Sequence, residues 1–173
     1  TTSEIARQNV LNNKYALKET QKAVGLRGVL FEGELKFTKQ QLASFFEVSE
    51  RSINSCLLQN DQELRSNGYD VIKGNRLKIF KLAVVESDVQ EVNFPNKTPQ
   101  LGIFNFRAFI NIAMLLSKSD RAREVRSLVL DIVIDTINKR TGGNTKYINQ
   151  RDEDFVFNLL NNRDYHKELV NIV

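Results

Sequence analysis

Two helix-starting residues, Thr38 and Ser49, constrain this chain more than anything else in it. Each has a side-chain oxygen that can accept from the unpaired N–H groups of a first helical turn. The spacing predicts one helix over 39–46, a break at Glu47-Val48, and a second helix from Ser49 onward. The second helix carries Ile53, Leu57 and Leu58, which we expect on one buried face. Leu64 is expected to extend that stripe, and Asn67-Gly68 to end it. A pair of helices crossing at a tight turn needs a small residue where the backbones approach, and Ala43 supplies it. An apolar side chain after the turn fills the angle between the helices, and Val48 supplies that. The turn position that often holds Gly is Glu47 here, and a left-handed backbone there costs a non-Gly residue about 1 kcal/mol.

The rest of the chain reads as mainly α with a small β component. Residues 3–24 read as one helix, capped by Ser3 and ended by Gly25. Gly28–Phe37 alternates like a short strand or hairpin around Gly33. Tyr69–Ile72 and Leu77–Leu82 flank Lys73-Gly74-Asn75-Arg76, where Gly and Asn suit a β-hairpin tip. Both prolines, Pro95 and Pro99, fall in an aperiodic stretch before Leu101. Beyond it we expect a brief strand at Leu101–Phe104 and helices at Phe106–Leu116 and Asp120–Lys139. Thr141-Gly142-Gly143-Asn144 is expected to stop the last of these, ahead of an amphipathic stretch from Asp152 to Val173. The domain expectation is therefore a winged helix-turn-helix over 1–85, a linker over 86–100 and a helical second domain for assembly or interaction over 101–173.

Charge is divided along the same line. The net charge is +4; residues 1–83 hold 13 Lys/Arg against 9 Asp/Glu, and residues 84–173 hold 12 against 12. The basic excess lies in the first half, where it can displace counterions from a nucleic-acid backbone. A helix-turn-helix reads double-stranded DNA with the polar start of its second helix. Arg51 is the candidate for a guanine edge and Asn54 for adenine, with Ser49, Ser52 and Ser55 as adaptable donors. Thr38, Lys39 and Gln40, with Lys73, Asn75 and Arg76 on the expected wing, are candidates for phosphate contact. Glu50 reads best as an anion favoured by the helix N-terminus. An ordinary αα-hairpin in a helical core is the competing structural reading of 38–58.

With these residues in place, the chain resembles the RhuM family of virulence- and prophage-associated bacterial proteins. One block of the likeness is Phe37-Thr38-Lys39-Gln40-Gln41-Leu42-Ala43 with Val48-Ser49. The other is Ile103-Phe104-Asn105-Phe106-Arg107-Ala108-Phe109-Ile110 with Ser119-Asp120-Arg121-Ala122-Arg123-Glu124-Val125-Arg126, which is also similar to phage Bro-type domains. The likeness spans about residues 35–140, with Leu128 standing where the family often has an aromatic. It implies a cytoplasmic DNA-binding regulator of a mobile element or of a toxin–antitoxin operon. Some relatives resemble the front half of longer proteins ending in a Fic-type toxin. A chain that begins without Met and ends on Asn171-Ile172-Val173 fits a piece of a longer protein as well as a complete short one.

Several classes of chemistry lack their residues. The only histidine, His166, does not sit in a Fic-type phosphate loop, and no Walker loop or GxGxxG is present. One Cys (Cys56) and one His at distant positions do not make a metal site and allow no internal disulfide. Asp152-Glu153-Asp154 reads as a first helical turn, and Asp131 with Asp135 as solvent-facing positions. No apolar run approaches the roughly 18 residues of a membrane span, and no secretory signal opens the chain. We therefore expect neither an enzyme nor a cofactor or metal. The expected partners are double-stranded DNA, a second copy paired through Val125, Leu128, Ile132 and Val133 if that stripe is not simply core, and a toxin or C-terminal effector domain. The alternative function is a protein-interaction module whose helix-turn-helix is purely structural.

Overall fold

The computed structural model describes residues 2–89, 94 and 98–140. In chain order the elements are α1 (Thr2–Leu11), α2 (Lys14–Val24), β1 (Val29–Phe31), β2 (Glu34–Thr38), α3 (Lys39–Phe46), α4 (Glu50–Gln59), α5 (Asp61–Ser66), β3 (Tyr69–Lys73), α6 (Gly74–Glu86), β4 (Gln100–Phe104), α7 (Phe106–Leu115) and α8 (Asp120–Arg140). The protein is mainly helical with a small four-stranded antiparallel sheet, ordered β1-β2-β4-β3. The described residues divide into two compact units, one of residues 25–112 and one that joins residues 2–24 to residues 113–140.

That division differs from the expected one of 1–85, 86–100 and 101–173. β4 comes from beyond the expected linker, yet it pairs with β2 through Phe37↔Phe104 and Thr38↔Ile103 and with β3 from Tyr69↔Phe104 to Lys73↔Gln100. The reason is burial: Ile103 and Phe104 are both fully buried, on opposite sides of the strand. Such a strand needs cover on both faces and pairing on both edges. Within the expected linker, residues 90–93 and 95–97 lie outside the described residues, as do the expected stop at Thr141–Asn144, the acidic cluster at 152–154 and the stretch from Asp152 to Val173.

In the 25–112 unit, the sheet is covered on both faces. On one side Val29, Phe31, Ile72 and Ile103 pack with Leu77, Phe80 and Val84 of α6. Phe31 and Phe80 meet edge to face, 5.3 Å between ring centroids. On the other side Phe37 of β2 meets Phe106 and Phe109 of α7, and Phe109 stacks on Phe46 of α3 at 4.9 Å. The expected hairpin over 28–37 is present as β1 and β2, joined through Glu32 and Gly33.

The expected wing is not formed. Gly74 does take a positive φ of 60°, as the turn reading required. The chain then enters α6 instead of returning as a strand, so Asn75 and Arg76 lie in a first helical turn. Residues 77–82 (Leu-Lys-Ile-Phe-Lys-Leu) are a short apolar-rich run after a turn signal, which also suits a strand locally. Leu77, Phe80 and Val84 at helical spacing fit the sheet's open face, and that burial decides the outcome.

Three buried polar side chains, Glu63, Asn67 and Asn111, tie the α5 end to α7, with half-buried Arg107 joining them. Asn111 donates to Glu63 Oε1 (3.0 Å), Asn67 donates to Asn111 Oδ1 (2.9 Å), and Arg107 donates to Asn67 Oδ1 (2.9 Å). Satisfying these groups jointly is what allows them to be buried. Next to them, Gly68 at φ 111° has Asn105 so close that any Cβ would overlap the amide. Asn105 in turn caps α7, accepting from the Ala108 N–H at 2.9 Å.

In the other unit, the helix expected over 3–24 is two helices. Asn12-Asn13 interrupts it, and Asn13 Oδ1 accepts from the Ala16 N–H (3.0 Å) to start α2. A capping Asn competes with helix continuation, so the break is local chemistry. α8 follows Ser119, whose Oγ accepts from the Ala122 N–H. It buries Ala122, Val125, Val129 and Leu130, and α2 packs along it. Of the stripe weighed for self-association, Val125 is thus core, while Leu128, Ile132 and Val133 are half-buried. Arg126 is also buried; its Nη1 donates to the carbonyls of Ala113 and Leu116 at 2.7 and 2.9 Å. Desolvation, helped by Arg123, lowers its pKa to about 10. No helix among the described residues is long and apolar enough to cross a membrane.

Candidate nucleic-acid interface

The segment 38–60 folds as two short helices joined by a three-residue turn. Thr38 begins α3 with a reciprocal pair of bonds: Gln41 N–H donates to Thr38 Oγ1 (3.2 Å) and Thr38 N–H donates to Gln41 Oε1 (3.0 Å). Gln41 Nε2 reaches back to the Arg27 carbonyl at 3.0 Å, so both side chains are consumed in holding the start of α3. α3 ends at Glu47, which adopts φ 54° and ψ 44°. This is the left-handed turn that Gly more often supplies. Val48 N–H then donates to the Ala43 carbonyl at 3.0 Å. Ser49 starts α4, its Oγ accepting from the Ser52 N–H (3.2 Å) and lying 3.1 Å from Ser52 Oγ. Ala43 is buried, and Val48 is half-buried.

α4 buries Ile53 and Leu57, with Ser52 and Cys56 half-buried and the remaining side chains exposed. Arg51, Asn54 and Ser55 are exposed. The side chains of Arg51 and Asn54 have no partner among the described residues. Ser55 Oγ donates to the Arg51 carbonyl at 3.0 Å, which leaves its lone pairs outward. Leu58 corrects an expectation: it is 85% exposed, not part of the buried stripe. Five residues on from Ile53, a side chain points about 140° away around the helix, whereas Leu57 at four residues lies within about 40°.

The phosphate candidates separate into three groups. Thr38 is 2% exposed and committed to its cap, so it is a structural residue and not a surface contact. Lys39 and Gln40 are half-buried in the first turn of α3, at the opposite end of that helix from the turn into α4. Lys73, Asn75 and Arg76 lie at the junction of β3 and α6, with Lys73 and Asn75 exposed. Arg76 is already held: Nε and Nη2 donate to the two oxygens of Glu32 at 2.8 Å each, and Nη2 also donates to Asp70 at 2.8 Å. These bonds raise the Arg76 pKa and lower that of Glu32. Two carboxylates around one guanidinium leave a local charge that repels phosphate. Glu32 and Asp70 were not anticipated, because their proximity to Arg76 depends on the β1–β2 turn meeting α6.

Among the described residues, no group of three His, Cys, Asp or Glu is arranged to hold a metal ion. Burial raises the pKa of Cys56, which makes its thiolate less accessible at neutral pH. No protein-family model, curated protein or solved structure matches this chain.

Proposed function

We propose that this chain binds double-stranded DNA by laying the start of α4 in the major groove, and that it acts as a regulator of the RhuM-like kind, on a mobile-element or toxin–antitoxin operon. The observation carrying this reading is α4 itself. It follows a doubly capped tight turn, buries Ile53 and Leu57, and holds out Arg51 and Asn54 with no partner of their own. Arg and Asn are side chains that grip a base edge with two hydrogen bonds. Lys39 and Lys73 take the phosphate-contact roles in this reading; Arg76 is no longer among them.

The test is selection of duplexes from a random library by the full chain, followed by anisotropy titrations across salt. Binding is expected to weaken steeply with salt. Arg51→Ala is expected to relax preference at one base pair by about 1–3 kcal/mol. Lys39→Ala should weaken all duplexes alike and lower the salt slope by about one. Absence of duplex retention at low salt overturns the proposal.

Leu58 favours a second reading, in which the α4 face docks a protein such as a toxin or effector domain. A large apolar side chain at 85% exposure beside Arg51 and Ser55 suits a protein interface as well as a thymine methyl. Leu58→Asp separates the two. Loss of a co-purifying protein with DNA binding absent favours docking; a shift in preference at a thymine favours DNA.

A further inference from the structure

We propose that the outward face of α6 is a self-association surface, which takes a second copy of this chain packed antiparallel about a twofold axis at Leu82. This is independent of any role of α4. α6 is apolar on two sides. Leu77, Phe80 and Val84 are buried against the sheet, while Ile79, Leu82 and Val85 are 50%, 65% and 82% exposed. Three of the eight exposed large hydrophobics among the described residues therefore lie on this one helix. At 100° per residue, Leu82 sits at the middle of the outward face, with Ile79 and Val85 about 60° to either side. A solvated helix face is ordinarily polar, so a second apolar stripe calls for a cover.

The charges on that face select the cover. Lys78 and Glu86 are exposed and have no partner among the described residues. Lys78 lies four residues before Leu82 and Glu86 four after; Ile79 lies three before and Val85 three after. An antiparallel copy centred on Leu82 therefore brings Lys78 level with Glu86 of the second copy, and Ile79 level with Val85 of the second copy. Each contact occurs twice, and the interface closes on itself. A parallel copy would set Lys78 against Lys78 and Glu86 against Glu86, so the charge pattern fixes direction as well as partner. Three apolar side chains per copy bury less than the roughly 800 Å² per partner of a standard stable interface. Association is thus expected in the micromolar range.

The test is sedimentation velocity on the full chain over a concentration series, with circular dichroism on each variant. The chain is expected to pass from monomer to dimer, and Leu82→Asp to remain monomeric with its helical signal intact. Lys78→Glu and Glu86→Lys should each raise the dimer Kd by roughly tenfold, because two pairs become repulsive at once. The double variant K78E/E86K should recover the original Kd, and so should an equimolar mixture of the two single variants, as a heterodimer. A chain that stays monomeric at the highest soluble concentration overturns the proposal. So does a dimer indifferent to these charges. If Leu82→Asp unfolds the chain, the reversal and rescue at 78 and 86 decide the matter alone.

Discussion

α4 and α6 are alike inward and opposite outward. Each buries a short stripe, Ile53 and Leu57 in one and Leu77, Phe80 and Val84 in the other. Outward, α4 shows Arg51, Asn54 and Ser55 with a lone Leu58, whereas α6 shows Ile79, Leu82 and Val85 framed by Lys78 and Glu86. The first surface offers Arg51 and Asn54, whose side chains have no partner among the described residues, and so suits a polar ligand. The second has little to offer a polar ligand and gains by leaving water. What a helix buries fixes where it sits in the fold, and what it fails to bury distinguishes its purpose.

The strongest way to break this comparison is to show that the two sides of α6 are not different. Phe80→Ala, at a fully buried ring, should cost about 3–5 kcal/mol in denaturant unfolding. Leu82→Ala in dilute protein should stay within about 0.5 kcal/mol of the parent. Equal losses at both positions would mean that Leu82 is packed in the monomer. A step down in size, the caps of the two turn helices can be compared. Thr38→Ala should cost about 1–2 kcal/mol, more than Ser49→Ala, because only Thr38 leaves its partners buried.

The turn between α3 and α4 offers a gain. Glu47→Gly should raise stability by about 0.5–1 kcal/mol, since it removes a side chain from a left-handed backbone at some entropic cost in the unfolded chain. The smallest effect concerns the Arg76 cluster. Arg76 lowers the Glu32 pKa below its ordinary 4.5 in the folded chain. A depressed carboxyl stabilises the fold above its unfolded pKa, and that contribution is lost as pH falls through the folded value. Arg76→Ala should therefore lower stability slightly at neutral pH, by the small amount an exposed pair contributes, and the difference from the parent should close as pH falls below about 4.5 and through the folded Glu32 value.

The parts of the fold readable from sequence were those settled within a few residues. Thr38 and Ser49 act as caps because their oxygens reach N–H groups three residues on. The candidate α4 face is legible for the same reason, apart from Leu58, which points about 140° around the helix from Ile53. What escaped depended on distant chain. Residues 77–82 could pair as a strand or coil as a helix, and only the open face presented by Val29, Phe31, Ile72 and Ile103 resolves the choice. Arg76 looked like a free cation until Glu32 and Asp70 were brought to it from other elements. The split at Asn12-Asn13 is an exception: residues 3–24 read as one helix, although the Asn13 cap that starts α2 is local chemistry.

The insertion of β4 between β2 and β3 has a consequence for how the chain is made. A ribosome that has released residues up to the end of α6 has already produced three of the four strands, but β2 and β3 have nothing to join them. Until Gln100–Phe104 emerges, both strands keep an open edge, and the helices strung between them lack a fixed span. Nascent chains stalled before residue 100 should therefore be sticky and protease-sensitive, whereas those carrying β4 close the seam in one step.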